Sequence, residues 1–252
     1  MAHRLIKLLR TCRQHYDHTY TEGLNVCAQP WKNGWGSGGL YACELRHLFE
    51  WITLYDDITE VAWVDVPDDA QVARFPTKIK ASALVLTGFM PIAEAVALAI
   101  QGGADVYTGD ALCWASEHGH LSVVEVLVKA GADDDALRKA SENGHLPIVK
   151  LLVHAGADVH AVDDQALRMA SYYGHLPVVE FLVQAGADVH ADDDYALRYA
   201  SSSGHLPIVK FLVTAGANVH TDDDEALYMA SKNGHLDVVE FLVTAGATTE
   251  QD

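Results

Sequence analysis

The chain is poor in cysteine and in positive charge, and it contains no long apolar run. Four cysteines, Cys12, Cys27, Cys43 and Cys113, are scattered over 252 residues, too sparsely for a disulfide scaffold. None forms a CxxC pair, so His15, His18, Cys27 and Cys43 lack zinc-site spacing, and no metal is expected. No stretch approaches the ~18 apolar residues of a membrane span. The opening MAHRLIKLLR lacks the continuous apolar region and small-residue cleavage site of an export signal. Free thiols in a reducing intracellular compartment are therefore expected. Lys and Arg number 17 against 35 Asp and Glu, a net charge of −18. Most of that excess follows Ala104, where 24 acidic residues face 8 basic ones. Such a surface repels nucleic acid and anionic lipid and favours a partner with a basic surface.

Half of the residues are apolar, enough for a packed core, and the organising feature is a string that returns. Ala166 to His190, ALRMASYYGHLPVVEFLVQAGADVH, recurs nearly unchanged at Ala136, Ala196 and Ala226. Aligned on the glycine of GAD, Gly103, Gly131, Gly156, Gly186, Gly216 and Gly246 follow at intervals of 28, 25, 30, 30 and 30. Each unit reads as an acidic run, a first helix, an HLP turn, a second helix and a loop. Asp164, Asp194 and Asp224, two residues before each first-helix alanine, are expected to cap that helix. Leu167, Ala170 and Ser171 face inward, Gly174 closes the first helix, and Pro177 opens the second. Val178, Val179, Leu182 and Val183 form the second helix's apolar stripe. Helices of about nine residues do not stand alone, so stability must come from stacking.

The first third does not repeat. Leu5, Leu8, Leu9 and Cys12 have helical spacing and predict a short helix over Leu5–Arg13. Trp31 to Gly39, WKNGWGSGG, is dense in glycine and predicts tight turns beside two Trp rings. Leu40 to Trp51 predicts a short strand running into a helix, and Glu60–Val66 and Ala81–Leu86 predict strands, with a turn at Pro67, Asp68 and Asp69. Together these describe a small α+β unit.

The motifs A-x-x-G-H, V-V-x-x-L-V and A-G-A-D-V resemble the ankyrin repeat. The usual T-P-L-H entry is replaced by forms such as QALR and YALR, and the period is 30 instead of about 33. Upstream, YTEGLNVCAQPW, GGLYAC, VPDDAQV and KIKASALVL resemble the region that precedes ankyrin repeats in proteins of mimivirus-like giant viruses. The resemblance implies an α-solenoid of one half-repeat, Ile92 to Ala104, plus five repeats, preceded by a small α+β domain. The expected domains are 1–87 and 88–252, and the fingers between helix pairs are expected to be short, that between Ala132 and Ala136 shortest. It also implies a virus-encoded adaptor that binds a host or viral protein inside the host cytoplasm, with no cofactor.

For such an array the implied contact surface is the finger tips and the exposed face of the first helices. Positions that vary between otherwise near-identical units are the candidates: Glu117, His118, Glu142, Asn143, Tyr172, Tyr173, Ser202, Ser203, Lys232 and Asn233, with Tyr195 and Glu225 beside the fingers. Tyr172 and Tyr173 lead, because exposed tyrosines anchor interfaces. The acidic runs Asp133–Asp135, Asp163–Asp164, Asp192–Asp194 and Asp222–Asp224 either solvate the fingers or steer a basic partner. His120, His145, His175, His205 and His235 are expected to hydrogen-bond within the stack. His160, His190 and His220 recur one unit apart, about 8–10 Å, too far for neighbours to share a metal held at about 2 Å. Two other readings stay open. GGLYAC faintly resembles the Gly-Leu/Ile-Tyr strand of ADP-ribosyltransferase-like folds, which would put Tyr41 with Glu44 or Glu60 in a catalytic N-terminal domain. Self-assembly through the C-terminal unit follows from Val239, Leu242 and Val243, which no polar capping repeat follows.

Overall fold

The structure, a computed structural model, describes residues 4–10, 14–15, 18–27, 40–54, 57–106, 110–129 and 135–248. The chain divides into two compact units, Met1–Trp114 with Ser122–Ala132, and Ala115–Leu121 with Asp133–Asp252.

The first unit is built on an antiparallel seven-stranded sheet. Its strands are β1 (Leu5–Arg10), β4 (Gly23–Val26), β5 (Leu40–Glu44), β6 (Ile58–Asp65), β7 (Val72–Arg74), β8 (Ile79–Ala81) and β9 (Ala83–Pro91), in the order β4-β9-β6-β1-β5-β8-β7. A two-stranded ribbon, β2 (Gln14–His15) and β3 (His18–Thr19), stands apart. The helix expected over Leu5–Arg13 is a strand over its described part. LIKLL is apolar on both alternating faces, which suits a central strand, and β1 pairs with β5 on one side and β6 on the other. Its backbone groups are satisfied by neighbours that the local spacing does not reveal.

The strand-to-helix reading of Leu40–Trp51 holds: β5 passes through a 3₁₀ turn, Leu45–His47, into α1 (Leu48–Ile52), which buries Leu48, Phe49 and Ile52. The Pro67–Asp69 turn is present, closed by the Ala70 amide donating to the Pro67 carbonyl at 3.0 Å. Trp31 to Gly39 lies outside the described residues, as does the finger between Ala132 and Asp135. Cys27, Cys43 and Cys113 are free thiols, and burial pushes the Cys43 thiol up to about 12, the behaviour of a core residue.

The expected boundary between residues 87 and 88 falls inside β9, which stays paired with β6 as far as Glu60 opposite Pro91. Pro91 leads directly into α2 (Ile92–Gln101). Ile92, Ala95, Val96 and Ala99 form the buried stripe of α2, which lies against β6 and β9. The segment read as a half-repeat thus also covers the sheet.

Next come α3 (Ala111–Glu117) and α4 (Leu121–Lys129), then α5 (Asp135–Glu142), α6 (Leu146–His154), α7 (Ala161–Tyr172), α8 (Leu176–Gln184), α9 (Ala191–Ser202), α10 (Leu206–Thr214), α11 (Thr221–Lys232) and α12 (Leu236–Thr244). In the second unit, helix pairs α5/α6, α7/α8, α9/α10 and α11/α12 stack, first helix on first helix and second on second. Leu167, Ala170 and Ser171 are buried on α7, and Val178, Val179 and Leu182 on α8. Pro177 sits in the first turn of α8, where its missing N–H costs nothing.

Two devices couple successive pairs. The first is the histidine after the turn glycine, as expected for His145, His175, His205 and His235. The Nε2–H of His175 donates to the Glu142 carbonyl at 2.9 Å, that of His205 to Tyr172 at 2.9 Å, and that of His235 to Ser202 at 3.0 Å. Each ring covers the glycine of the preceding turn: a Cβ on Gly174, at φ +86°, would lie 2.7 Å from Cε1 of His205. Glycine is required there both by the left-handed backbone and by the ring.

The second device corrects the capping expectation. Among the described residues, Asp164, Asp194 and Asp224 accept from amides one finger further on and from none of their own first helices. They end runs of three residues with positive φ, 162–164, 192–194 and 222–224, a region that Asp tolerates better than most residues. Their carboxylates are buried and turned toward the next finger. Asp164 accepts the Asp188 amide, Asp194 the Asn218 amide and Asp224 the Thr248 amide, at 2.9, 2.9 and 3.0 Å. The Thr221 hydroxyl donates to Asp194 at 2.7 Å, and the Thr248 hydroxyl to Asp224 at 2.9 Å.

Candidate protein-binding face

The first helices of the second unit carry a contiguous aromatic surface. Tyr172 closes α7 and Tyr173 follows it; they are 40% and 48% exposed. Their rings meet edge to face at 4.9 Å, Tyr172 lies 5.1 Å from Tyr199 on α9, and Tyr199 lies 4.2 Å from Tyr195. Aromatic pairs at these separations hold one another in fixed orientation. A hydrogen bond with Tyr195, followed by burial and the charge of Tyr195, pushes the Tyr199 hydroxyl up to about 12. The charge of Glu142, with burial and a hydrogen bond to the same carboxylate, holds the Tyr173 hydroxyl above the ordinary tyrosine value.

Two arginines border the cluster, and both are engaged inside the array. Arg168 pairs with Asp192 and donates to the Val162 carbonyl at 2.8 Å, with its guanidinium 5.6 Å from the Tyr195 ring. Arg198 pairs with Asp222 and Glu225, the latter at 3.1 Å, and lies 4.5 Å from the Tyr195 ring centroid. In the finger before α7 the matching position is Val162, and Arg138 instead pairs with Asp135 and Glu142 on its own helix.

The acidic runs therefore divide by position. The first acid, Asp192 or Asp222, binds an arginine of the preceding helix pair. The third, Asp164, Asp194 or Asp224, couples fingers and also accepts from its own unit's histidine. His190 Nδ1 lies 3.0 Å from Asp194, and His220 Nδ1 lies 2.8 Å from Asp224. The middle acids, Asp163, Asp193 and Asp223, are exposed and have no side-chain partner among the described residues.

The candidate residues fall into groups. Tyr172, Tyr173 and Tyr195 come together in the cluster. Glu117 pairs with Lys139 at 3.0 Å, Glu142 with Arg138 at 3.1 Å, and Glu225 with Arg198. Asn233 donates to the Ser202 carbonyl at 2.7 Å, and Asn143 donates to the Lys139 carbonyl at 3.0 Å. Lys232 is exposed, 5.6 Å from the Tyr228 ring, Ser203 is half-buried, and His118 stacks with His120. Sequence reasoning missed Tyr199, Tyr228, Arg168 and Arg198. The signal was there: Lys139, Met169, Tyr199 and Met229 are equivalent, and Tyr228 stands where two preceding units have Arg168 and Arg198. Both columns vary within ALRxA, which was read as scaffold.

The residues of the catalytic reading lie on different faces and strands of the sheet. Tyr41 and Glu44 are three residues apart on β5 and so face opposite sides of the sheet. Glu44 pairs with Arg46 at 3.0 Å, and Glu60 lies on β6, with β1 between it and β5. Among the described residues, no group of three or more His, Cys, Asp or Glu is placed to hold a metal ion. None of the described helices is long and apolar enough to cross a membrane.

Stacked helix-turn-helix pairs joined by short fingers define a helical-repeat protein. The family of Ankyrin repeats (3 copies) matches residues 91–163 and 167–252. The chain belongs to the ankyrin repeat family, whose repeats are protein–protein interaction modules. A comparison with curated proteins found no match.

Proposed function

We propose that this protein is an adaptor that captures a protein partner on the tyrosine face of its first helices and the adjoining fingers. The observation that carries the reading is the continuous path of rings from Tyr173 through Tyr172 and Tyr199 to Tyr195, with two of them openly exposed. Tyrosine offers a large amphipathic contact at little entropic cost, and clustered rings lose less freedom on binding than isolated ones. Glu117, His118, Glu142, Asn143, Ser202, Ser203, Glu225, Lys232 and Asn233 form the rim of the footprint, and the net charge of −18 supports a partner with a basic surface over nucleic acid. We read the array as a half-repeat and five repeats of the mimivirus-like giant-virus type. It acts in the host cytoplasm on a host or viral protein, and the module at 1–87 belongs to the same family of proteins.

The test is the double variant Tyr172→Ala/Tyr173→Ala. Both side chains are exposed, so the melting temperature should stay within a few degrees of the parent's, while capture of the partner from host lysate is lost. Capture that survives in the double variant places recognition elsewhere.

A further inference from the structure

The rings of the tyrosine face are readily oxidised groups, and their contacts give an oxidising equivalent both a path and an end point. A phenol loses an electron more readily than the side chains around it, provided that its proton leaves at the same time. The ring centroids stand 4.9 Å apart from Tyr173 to Tyr172, 5.1 Å from Tyr172 to Tyr199 and 4.2 Å from Tyr199 to Tyr195, close enough for an electron to pass between neighbours. What differs along the row is the acceptor for the proton. The Tyr173 hydroxyl is hydrogen-bonded to the Glu142 carboxylate, whereas the Tyr199 hydroxyl is hydrogen-bonded to Tyr195, another phenol. A phenol that has lost an electron is a strong acid, and a carboxylate takes its proton far more readily than a phenol oxygen does. Arg138 holds Glu142 in place at 3.1 Å. Tyr173 is also the more open of the exposed pair, 48% against 40% for Tyr172. Tyr228 supplies the internal contrast. Its ring is more exposed, 54%, but the Lys232 ammonium lies 5.6 Å from its centroid, and a cation over a ring opposes removal of an electron from it.

We propose that Tyr173 is an oxidative cross-linking site. A one-electron oxidant such as a peroxyl radical takes an electron from any ring of the row, and the radical comes to rest on Tyr173 as its proton passes to Glu142. A second phenoxyl radical then joins it through a carbon–carbon bond between ring positions ortho to the two oxygens. The hydrogens displaced from those ring carbons return to the oxygens through water and restore two phenols. Two electrons leave with the oxidant, and the two phenolic protons go to Glu142 and to solvent. The co-substrate is a phenol that reaches the surface. The chemistry belongs to the rings and is independent of whether the face also captures a protein.

The experiment exposes the full chain briefly to photogenerated tris(bipyridyl)ruthenium(III) with N-acetyltyrosinamide as the second phenol, and maps the adducts by peptide mass spectrometry. Tyr173 should carry about tenfold more adduct than Tyr228, the scale on which one charge-assisted hydrogen bond lowers a barrier. Glu142→Gln keeps the size of the side chain and removes the base, so the yield at Tyr173 should fall to that at Tyr228. Tyr173→Phe should move the adduct to Tyr172, because the radical stays in the row. The comparison of Tyr173 with Tyr228 in the parent needs no variant and so does not depend on how a variant folds. Adducts that follow exposure, with Tyr228 at or above Tyr173, overturn the proposal, and so does a yield at Tyr173 indifferent to Glu142→Gln. Loss of adduct from the whole row in Tyr173→Phe overturns the passage of the radical between rings.

Discussion

The carboxylate of Asp194 accepts the backbone amide of Asn218, 24 residues further along in the finger that leads to the next helix pair. It also takes the Thr221 hydroxyl and lies beside His190, and only 4% of its surface is exposed. A buried acceptor with several donors is costly to remove, because each donor is then stranded. Asp194→Ala is expected to destabilise the array by about 2–3 kcal/mol, and Asp194→Asn by less. Urea unfolding of the full chain measures both.

Asp224 has the same architecture, and its pKa is lowered from the ordinary 3.8: burial acts to raise it, but the Thr248 amide and hydroxyl and His220 outweigh burial. A carboxyl depressed in the folded state stabilises fully above 3.8 and loses that contribution as pH falls through the folded value. The urea midpoint should therefore drop at acid pH more steeply in the parent than in Asp224→Asn, the difference opening below about pH 4. Parallel curves for the two proteins would remove Asp224 from the acid sensitivity.

Gly174 and Gly234 share a left-handed backbone, φ +86° and +79°, but only Gly174 lies under a ring. Alanine at Gly234 should cost about 1–2 kcal/mol for the backbone alone. Gly174→Ala should cost clearly more, because the His205 ring must move and its bond to the Tyr172 carbonyl is strained or lost. Thermal melts of the two variants give the comparison, and His205→Ala in the Gly174→Ala background should erase most of the difference.

The Tyr195–Tyr199 pair can be observed directly. An absorbance titration of the tyrosinate band should reveal a late-ionising group near the value of about 12 for Tyr199. Because a hydrogen bond with Tyr195 is the largest cause, Tyr195→Phe should move that late step toward the ordinary tyrosine range. An unchanged step would assign it to another phenol.

The helix pairs were legible in the sequence because glycine and proline punctuate them and their stripes keep a 3.6-residue period. The histidine bonds were implied by the resemblance to the ankyrin repeat. What misled were features whose explanation lies far along the chain. Leu5–Arg10 has helical spacing over one turn, yet its partners are β5 and β6. Asp164, Asp194 and Asp224 stand where a cap belongs, but their donors arrive 24 residues later. At the candidate face, Tyr172 and Tyr173 were visible as departures from the repeat, whereas Tyr199 was hidden among scaffold positions, and its place in the cluster comes from Tyr195 and Tyr172 on either side. The boundary expected near residue 87 falls inside β9 for a related reason: α2 carries the repeat's second-helix pattern, and the same apolar stripe lies against the sheet.

The two couplings run in opposite directions, the carboxylate reaching forward to the next finger and the imidazole back to the previous turn. The α7/α8 and α9/α10 units therefore offer the same two sockets and the same two plugs, and neither is tied to a particular neighbour. A copy of residues 165–194 spliced in after Asp194 would meet matching groups at both of its junctions. The array can be lengthened by duplicating a gene segment without inventing a new interface, and near-identity between units is the trace such growth would leave.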